Sequence, residues 1–140
     1  MKFKVFDKSN YLKGLLVLIS KDNKVSEHER NFLLEVGKSL GFDKEFCEEA
    51  IETLLENEYI SQEPPVFSKK EFAESFLRDG INLAVSDLEV DKNEINYLKA
   101  IAEVNKIDED WFYTELNNCE EKVLHYLNHD PITLEASKHI

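Results

Sequence analysis

Apolar residues recur along most of this chain at three- and four-residue spacing, the period of one helix face. From Ser9, Leu12, Leu15, Leu16 and Ile19 follow that period, and Val17 and Leu18 widen the face, which predicts a first helix buried nearly all round. Residues 1–8 are mixed and read as an extended arm, and Lys21-Asp22-Asn23-Lys24 interrupts the pattern. A second helix starts at Ser26, where Ser26 and Glu29 have capping-box spacing. Phe32, Leu33, Val36 and Leu40 follow, and Gly41 is a suitable stop. Asp43 is placed to cap a third helix. Its apolar stripe is Phe46, Cys47, Ala50, Ile51, Leu54 and Leu55, opposite Glu45, Glu48, Glu49, Glu52 and Glu56. Residues 59–67, with Pro64-Pro65, read as a linker. Ser68 and Glu71 repeat the cap spacing before Phe72, Phe76, Gly80, Leu83 and Ala84. Gly80 inside that helix suggests a close crossing by a neighbour. Asp91 and Glu94 precede Ile95, Leu98, Ile101 and Ala102. Asp108 precedes Phe112, Leu116, Cys119, Val123 and Leu127, and Asp130-Pro131 ends the run. No segment alternates with period two. The pattern therefore predicts an all-α protein, a compact bundle of about six to seven helices.

Two segments align without gaps at an offset of 65 residues: Leu18 with Leu83, Asp22 with Asp87, Val25 with Val90, Ser26 with Asp91 and Glu29 with Glu94. Phe32 pairs with Tyr97, Leu33 with Leu98, Val36 with Ile101, Phe42 with Ile107, Asp43 with Asp108 and Phe46 with Trp111. Matches fall at caps and apolar positions together, which points to two pseudo-symmetric three-helix repeats. We expect a single domain over residues 1–140, with repeat one at about 9–58, a linker at 59–67 and repeat two at about 68–128. The two most apolar helices, the first and fourth, should form the central pair.

The segments LLVLISKDNKVSEHERNFLLEVGKSLGF and INLAVSDLEVDKNEINYLKAIAEVNKI resemble the paired motifs of TerB-like domains. That family is named for tellurite-resistance proteins and also occurs beside J-domains in co-chaperones. Its core form is an apolar helix followed by Asp-Gly-x-Val-Ser-x-x-Glu. Asp22, Val25, Ser26 and Glu29 match in the first copy; Asp87, Val90 and Glu94 match in the second, with Asp91 in place of Ser. The glycine is Asn23 in one copy and Leu88 in the other, and Leu is poorly suited to the left-handed backbone such a position requires. The resemblance covers roughly residues 10–127. It implies an all-helical fold, a stress-linked role and an acidic metal-binding surface, and no known enzyme reaction.

Read as chemistry, Asp22, Glu29, Asp87, Asp91 and Glu94 place carboxylates around two inter-helix turns, where a hard divalent cation such as Ca²⁺ or Mg²⁺ (or Zn²⁺) wants its oxygen ligands. The spacing mimics the back half of an EF-hand loop. The earlier ligand positions would be Leu18 and Ser20, or Leu83 and Val85, which excludes an ordinary EF-hand. The competing reading is that these acids cap helices and close turns. His125 and His129, one turn apart with Glu121 a turn earlier, have zinc-compatible spacing, but also suit a helix C-terminus.

The 140 residues carry 17 Lys+Arg against 29 Asp+Glu, a net charge of −12. That balance argues against nucleic acid as the main partner, because phosphate binding needs a basic face. Only four glycines occur, and no Gly-x-Ser-x-Gly, Gly-x-Gly-x-x-Gly or phosphate loop is present. Cys47 and Cys119 form no zinc or disulfide pattern and read as core residues of a reduced, cytoplasmic protein; no leader or membrane-length apolar run is visible, and the leading Met fits a native start. Residues 1–24 hold six lysines and two aspartates, so a weak contact with an anionic membrane surface is open to them. Residues 43–63 hold eight acids and one lysine. The favoured function is a small binding or scaffold module whose acidic surface docks a protein partner. The alternatives are a metal-dependent enzyme or metal sensor at the acidic turns, and self-association through residues 59–67 or through Trp111 and Tyr113.

Overall fold

The computed structural model describes residues 3–22, 25–56, 62–85 and 91–126, with side chains at all of these except 22, 54–56 and 120–126. They form six α-helices and no strand: α1 Val5–Ile19, α2 Glu27–Ser39, α3 Lys44–Glu56, α4 Lys70–Val85, α5 Lys92–Val104 and α6 Glu109–Tyr126. A single 3-10 turn, Ser20–Asp22, follows α1. Helix α1 packs against α2, α3, α4 and α5, and α4 packs against α5 and α6 as well. The two most apolar helices are thus central, as their patterns predict. Leu15, Leu18, Ile19, Phe76, Leu77 and Ile81 are shut off from solvent. Each such side chain contributes about 1.5–3 kcal/mol from burial.

The boundaries follow local chemistry. The Ser26 hydroxyl accepts from the Glu29 amide at 3.1 Å, and the Glu29 carboxylate accepts from the Ser26 amide at 3.0 Å, the reciprocal capping box that begins α2. Asp91 accepts from the amides of Asn93 (2.7 Å) and Glu94 (3.2 Å) and begins α5. The C-termini of α2 and α5 close alike. Gly41 has φ 91° and Lys106 has φ 59°. Phe42 N donates to Gly37 O at 2.8 Å, and Ile107 N donates to Ala102 O at 2.9 Å, the long bond of a Schellman motif. Helix starts pair at one spacing too: Val5 with Lys70, Glu27 with Lys92 and Lys44 with Glu109 are each 65 residues apart.

Two local expectations are corrected. Of the expected arm at 1–8, residues 5–8 are helical instead: α1 begins at Val5, and Phe3 is buried with its ring 5.2 Å from Tyr11 and 4.7 Å from Phe72. Ser68 does not cap α4, which begins at Lys70. Its amide and hydroxyl instead donate to Asp7, at 2.8 and 2.6 Å. A partner 61 residues away in sequence outcompetes the local cap. The linker also ends inside the core, where Phe67 is buried and its amide donates to Asn105 Oδ1 at 2.9 Å.

Glycines sit where helices approach closely. A Cβ on Gly80 would lie 2.7 Å from Leu98 Cδ2 of α5, and one on Gly14 would lie 2.7 Å from Phe76 Cζ of α4. The crossing that Gly80 suggests is therefore with α5.

Candidate functional site

The five acidic residues divide by what the structure describes. Glu29 closes its capping box with Ser26, and Asp91 holds the first amides of α5. Glu94, in the first turn of α5, is 6% exposed. The Asp22 side chain and all of Asp87 lie outside the described residues, as do Asn23 and Leu88, where the family motif has glycine. The 3-10 turn that carries Asp22 packs on α5, the helix that the second acidic turn begins. The link is Lys21, whose ammonium lies 4.7 Å from the Tyr97 ring centroid and donates to Gln62 Oε1. Burial pulls the Lys21 ammonium below its ordinary pKa and pushes the Tyr97 phenol well above its own. Among the described residues, no group of three or more His, Cys, Asp and Glu side chains is placed to hold a metal ion. The His125 side chain, His129 and His139 fall outside them.

Cations lie over three aromatic rings of α5 and α6. Besides Lys21 on Tyr97, the Arg78 guanidinium lies 5.3 Å from the Trp111 ring and Lys99 Nζ lies 5.4 Å from the Tyr113 ring. Arg78 also pairs with Glu115 at 3.5 Å, and Lys99 with Glu109 at 3.1 Å. Hydrogen bonds to Tyr113 and then Glu109, with the charge of Glu109, hold the Lys99 ammonium above its usual pKa.

Around α2 and the start of α3 the aromatics are more open. Phe42 and Phe46 stack on each other with centroids 5.4 Å apart, and Phe46 is 52% exposed. A groove of about 860 Å³ runs from the outer face of α2 to the start of α3. Phe32, Leu34 and Phe42 give it an apolar wall; His28, Lys38 and Lys44 give it polar edges. Glu35 and Asp43 also line it, and Glu45, Glu49 and Glu52 stand exposed along α3. Glu48 is drawn toward Arg30 (3.9 Å) and Lys44 (3.8 Å), long pairs that contribute little. Cys47 and Cys119 are free and buried, as expected of core residues. Burial, and then the nearby Asp43 charge, pushes the Cys47 thiol up, away from nucleophilic use.

Buried polar groups other than Glu94 have no counterpart among the residues the sequence singles out. Asp7, Ser75, Asp79, Asn82 and Glu94 are all buried. Tyr11 OH donates to Asp79 Oδ2 at 2.5 Å across α1 and α4, while Asn82 Oδ1 has no hydrogen-bond partner among the described residues. Their only sequence signal is position: 75, 79 and 82 share one face of a helix whose other faces are apolar. Comparison of the chain with protein-family models, with curated proteins and with solved structures returned no match. No helix among the described residues is long and apolar enough to cross a membrane.

Proposed function

We propose that the chain is a small cytoplasmic binding or scaffold module of the TerB-like type, a duplicated pair of three-helix units whose first half docks a protein partner. The 65-residue spacing of helix starts and the paired C-terminal turns at Gly41 and Lys106 support the duplication. One contrast carries the functional reading. Tyr97 and Trp111 lie under Lys21 and Arg78, whereas their counterparts Phe32 and Phe46 line open surface beside the exposed acids of α3. The groove's edge carries acids (Glu35, Asp43) and bases (Lys38, Lys44), and the acidic outer face of α3 continues from it, which suits an amphipathic helix whose lysines lie toward α3. Its resemblance-based role is stress-linked.

Amide-resolved NMR titration with a synthetic amphipathic helix carrying lysines tests this. Shifts should concentrate on α2 and the start of α3, weaken with salt and disappear in Phe42→Glu. Shifts spread evenly over the surface, or none up to about 1 mM peptide, overturn it.

The packing of the first acidic turn on α5 supports a second reading, a divalent-cation sensor or metal-dependent enzyme at Asp22, Glu29, Asp87, Asp91 and Glu94. Calorimetry with Ca²⁺, Mg²⁺ and Zn²⁺ tests it. Saturable heat lost in Asp87→Asn supports it; no heat and no change in melting temperature sinks it.

A further inference from the structure

The outward face of α1 is apolar and open. Val5 is 81% exposed and Phe6 is 60% exposed. With Ser9, Lys13 and Leu16 they lie along one side of the helix, opposite the buried Tyr11, Leu15 and Leu18. Toward the C-terminal end of that face, α3 forms the far wall of a cleft of about 300 Å³, lined by Leu16, Val17, Phe46 and Ala50 with Lys13 and Glu49. Toward its N-terminal end, the Asn10 amide donates to Val66 O at 3.2 Å and sets Val66, 52% exposed, beside the helix. Val5, Phe6, Phe46 and Val66 are four of the six exposed large hydrophobics among the described residues. Scattered singly they would need no explanation, but their collection around one helix marks an interaction surface.

The charges along this face choose its occupant. Lys4 and Lys8 bracket Val5 and Phe6, at the positive end of the α1 dipole. The cleft end is bordered by the exposed Glu45, Glu49 and Glu52 of α3. Each end is therefore complementary to the other end of the same face. We infer that the α1 face binds a second copy of this chain about a two-fold axis, with the two α1 helices antiparallel. Val5 and Phe6 of one copy fill the cleft between Leu16 and Phe46 of the other, and the same contact occurs twice. Near the crossing Ser9 of one copy faces Lys13 of the other, and the small Ser9 leaves room for the Lys13 stem to lie along the contact. The parallel arrangement would set lysine on lysine and glutamate on glutamate. A foreign helix needs only one of the two ends, whereas a second copy uses both. The two readings share Phe46 and the exposed acids of α3, and Phe6→Glu separates them: it should weaken the dimer and leave the peptide shifts on α2 unchanged.

Sedimentation of the full chain from about 1 μM to 1 mM at physiological salt tests it. A monomer–dimer equilibrium is expected. Phe6→Glu should raise the dimer dissociation constant at least about tenfold, because it sets a carboxylate against Glu45 and Glu49 of the other copy, and Phe46→Glu should raise it by removing the apolar wall that Val5 and Phe6 fill. Phe6 is 60% exposed, so circular dichroism and melting of the Phe6→Glu monomer should be unchanged, whereas Phe46→Glu gives up its stack on Phe42 and should lower the melting temperature slightly with the circular dichroism unchanged. Reversing Lys4 and Lys8 to Glu should weaken the dimer, and adding Glu45→Lys and Glu49→Lys should restore it. A monomer at every concentration overturns the inference. So does a dimer indifferent to Phe6→Glu and Phe46→Glu, or a charge reversal that the second reversal fails to rescue.

Discussion

Asp7 is the side chain on which the packing argument is most exposed to test. It is fully buried and accepts from Ser68 N at 2.8 Å, Ser68 Oγ at 2.6 Å and Lys4 N at 3.4 Å. It therefore closes the first turn of α1 and ties that turn to the chain entering α4. Asp7→Ala removes two short bonds to a carboxylate, each worth about 1.5–3 kcal/mol in comparable cases. Two effects reduce the sum. The Ser68 hydroxyl, on an exposed residue, can turn to water, and a buried carboxylate no longer has to be desolvated. The Ser68 amide is fixed in place and loses its partner. The net loss should be about 2–4 kcal/mol, or roughly 6–16 °C in Tm for a domain of this size. Ser68→Ala keeps the amide bond and should cost only about 1 kcal/mol. Urea unfolding followed at 222 nm gives both values, and the double variant gives their coupling, expected at about 1 kcal/mol or more. An Asp7→Ala loss under about 1 kcal/mol, or strict additivity with Ser68→Ala, would refute the view that this bond holds the start of α1 to the second half.

Three further predictions concern separate sites. Lys106→Gly should stabilise by about 0.5–1 kcal/mol in urea unfolding, because Lys106 holds φ 59° at the position where Gly41 closes α2. Gly14→Ala should destabilise by about 1–2 kcal/mol despite the better helix former, since its Cβ would meet the buried Phe76 ring at 2.7 Å; a stabilised variant would show that the α1–α4 crossing is looser than described. Tyr97 has its phenol pKa raised by burial, so the unfolded chain releases this proton first as pH rises. Its contribution is therefore intact below about pH 10 and declines above it, by up to about 1.4 kcal/mol per pH unit; Tyr97→Phe should lose correspondingly less stability between pH 10 and 11 in denaturant titrations.

Much of the helical layout was legible because caps and apolar spacing are local properties. Ser26 with Glu29 and Asp91 with Asn93 and Glu94 are encoded within three residues, and they begin α2 and α5 as their spacing predicts. Gly41 marks the end of α2 by the same logic. Lys106 gives no such mark, because a lysine in the left-handed region is held there by the bonds of the turn rather than by its own preference.

The sequence by itself determined the helical class, the central place of α1 and α4, and the burial of Cys47 and Cys119, since a 3.6-residue apolar period can be satisfied only by a helix with that face inside. Tertiary structure decided the rest. Ser68 left its local capping role for Asp7, and Asp79 became a core residue opposite Tyr11, because each found a partner more than 60 residues away. Tertiary packing also decided which aromatics lie open. Phe46 and Trp111 are paired in sequence at the 65-residue offset, yet Arg78 lies over Trp111 while Phe46 borders a cleft. Apolar periodicity says which face of a helix avoids water; only packing says which such faces are left for another molecule to cover.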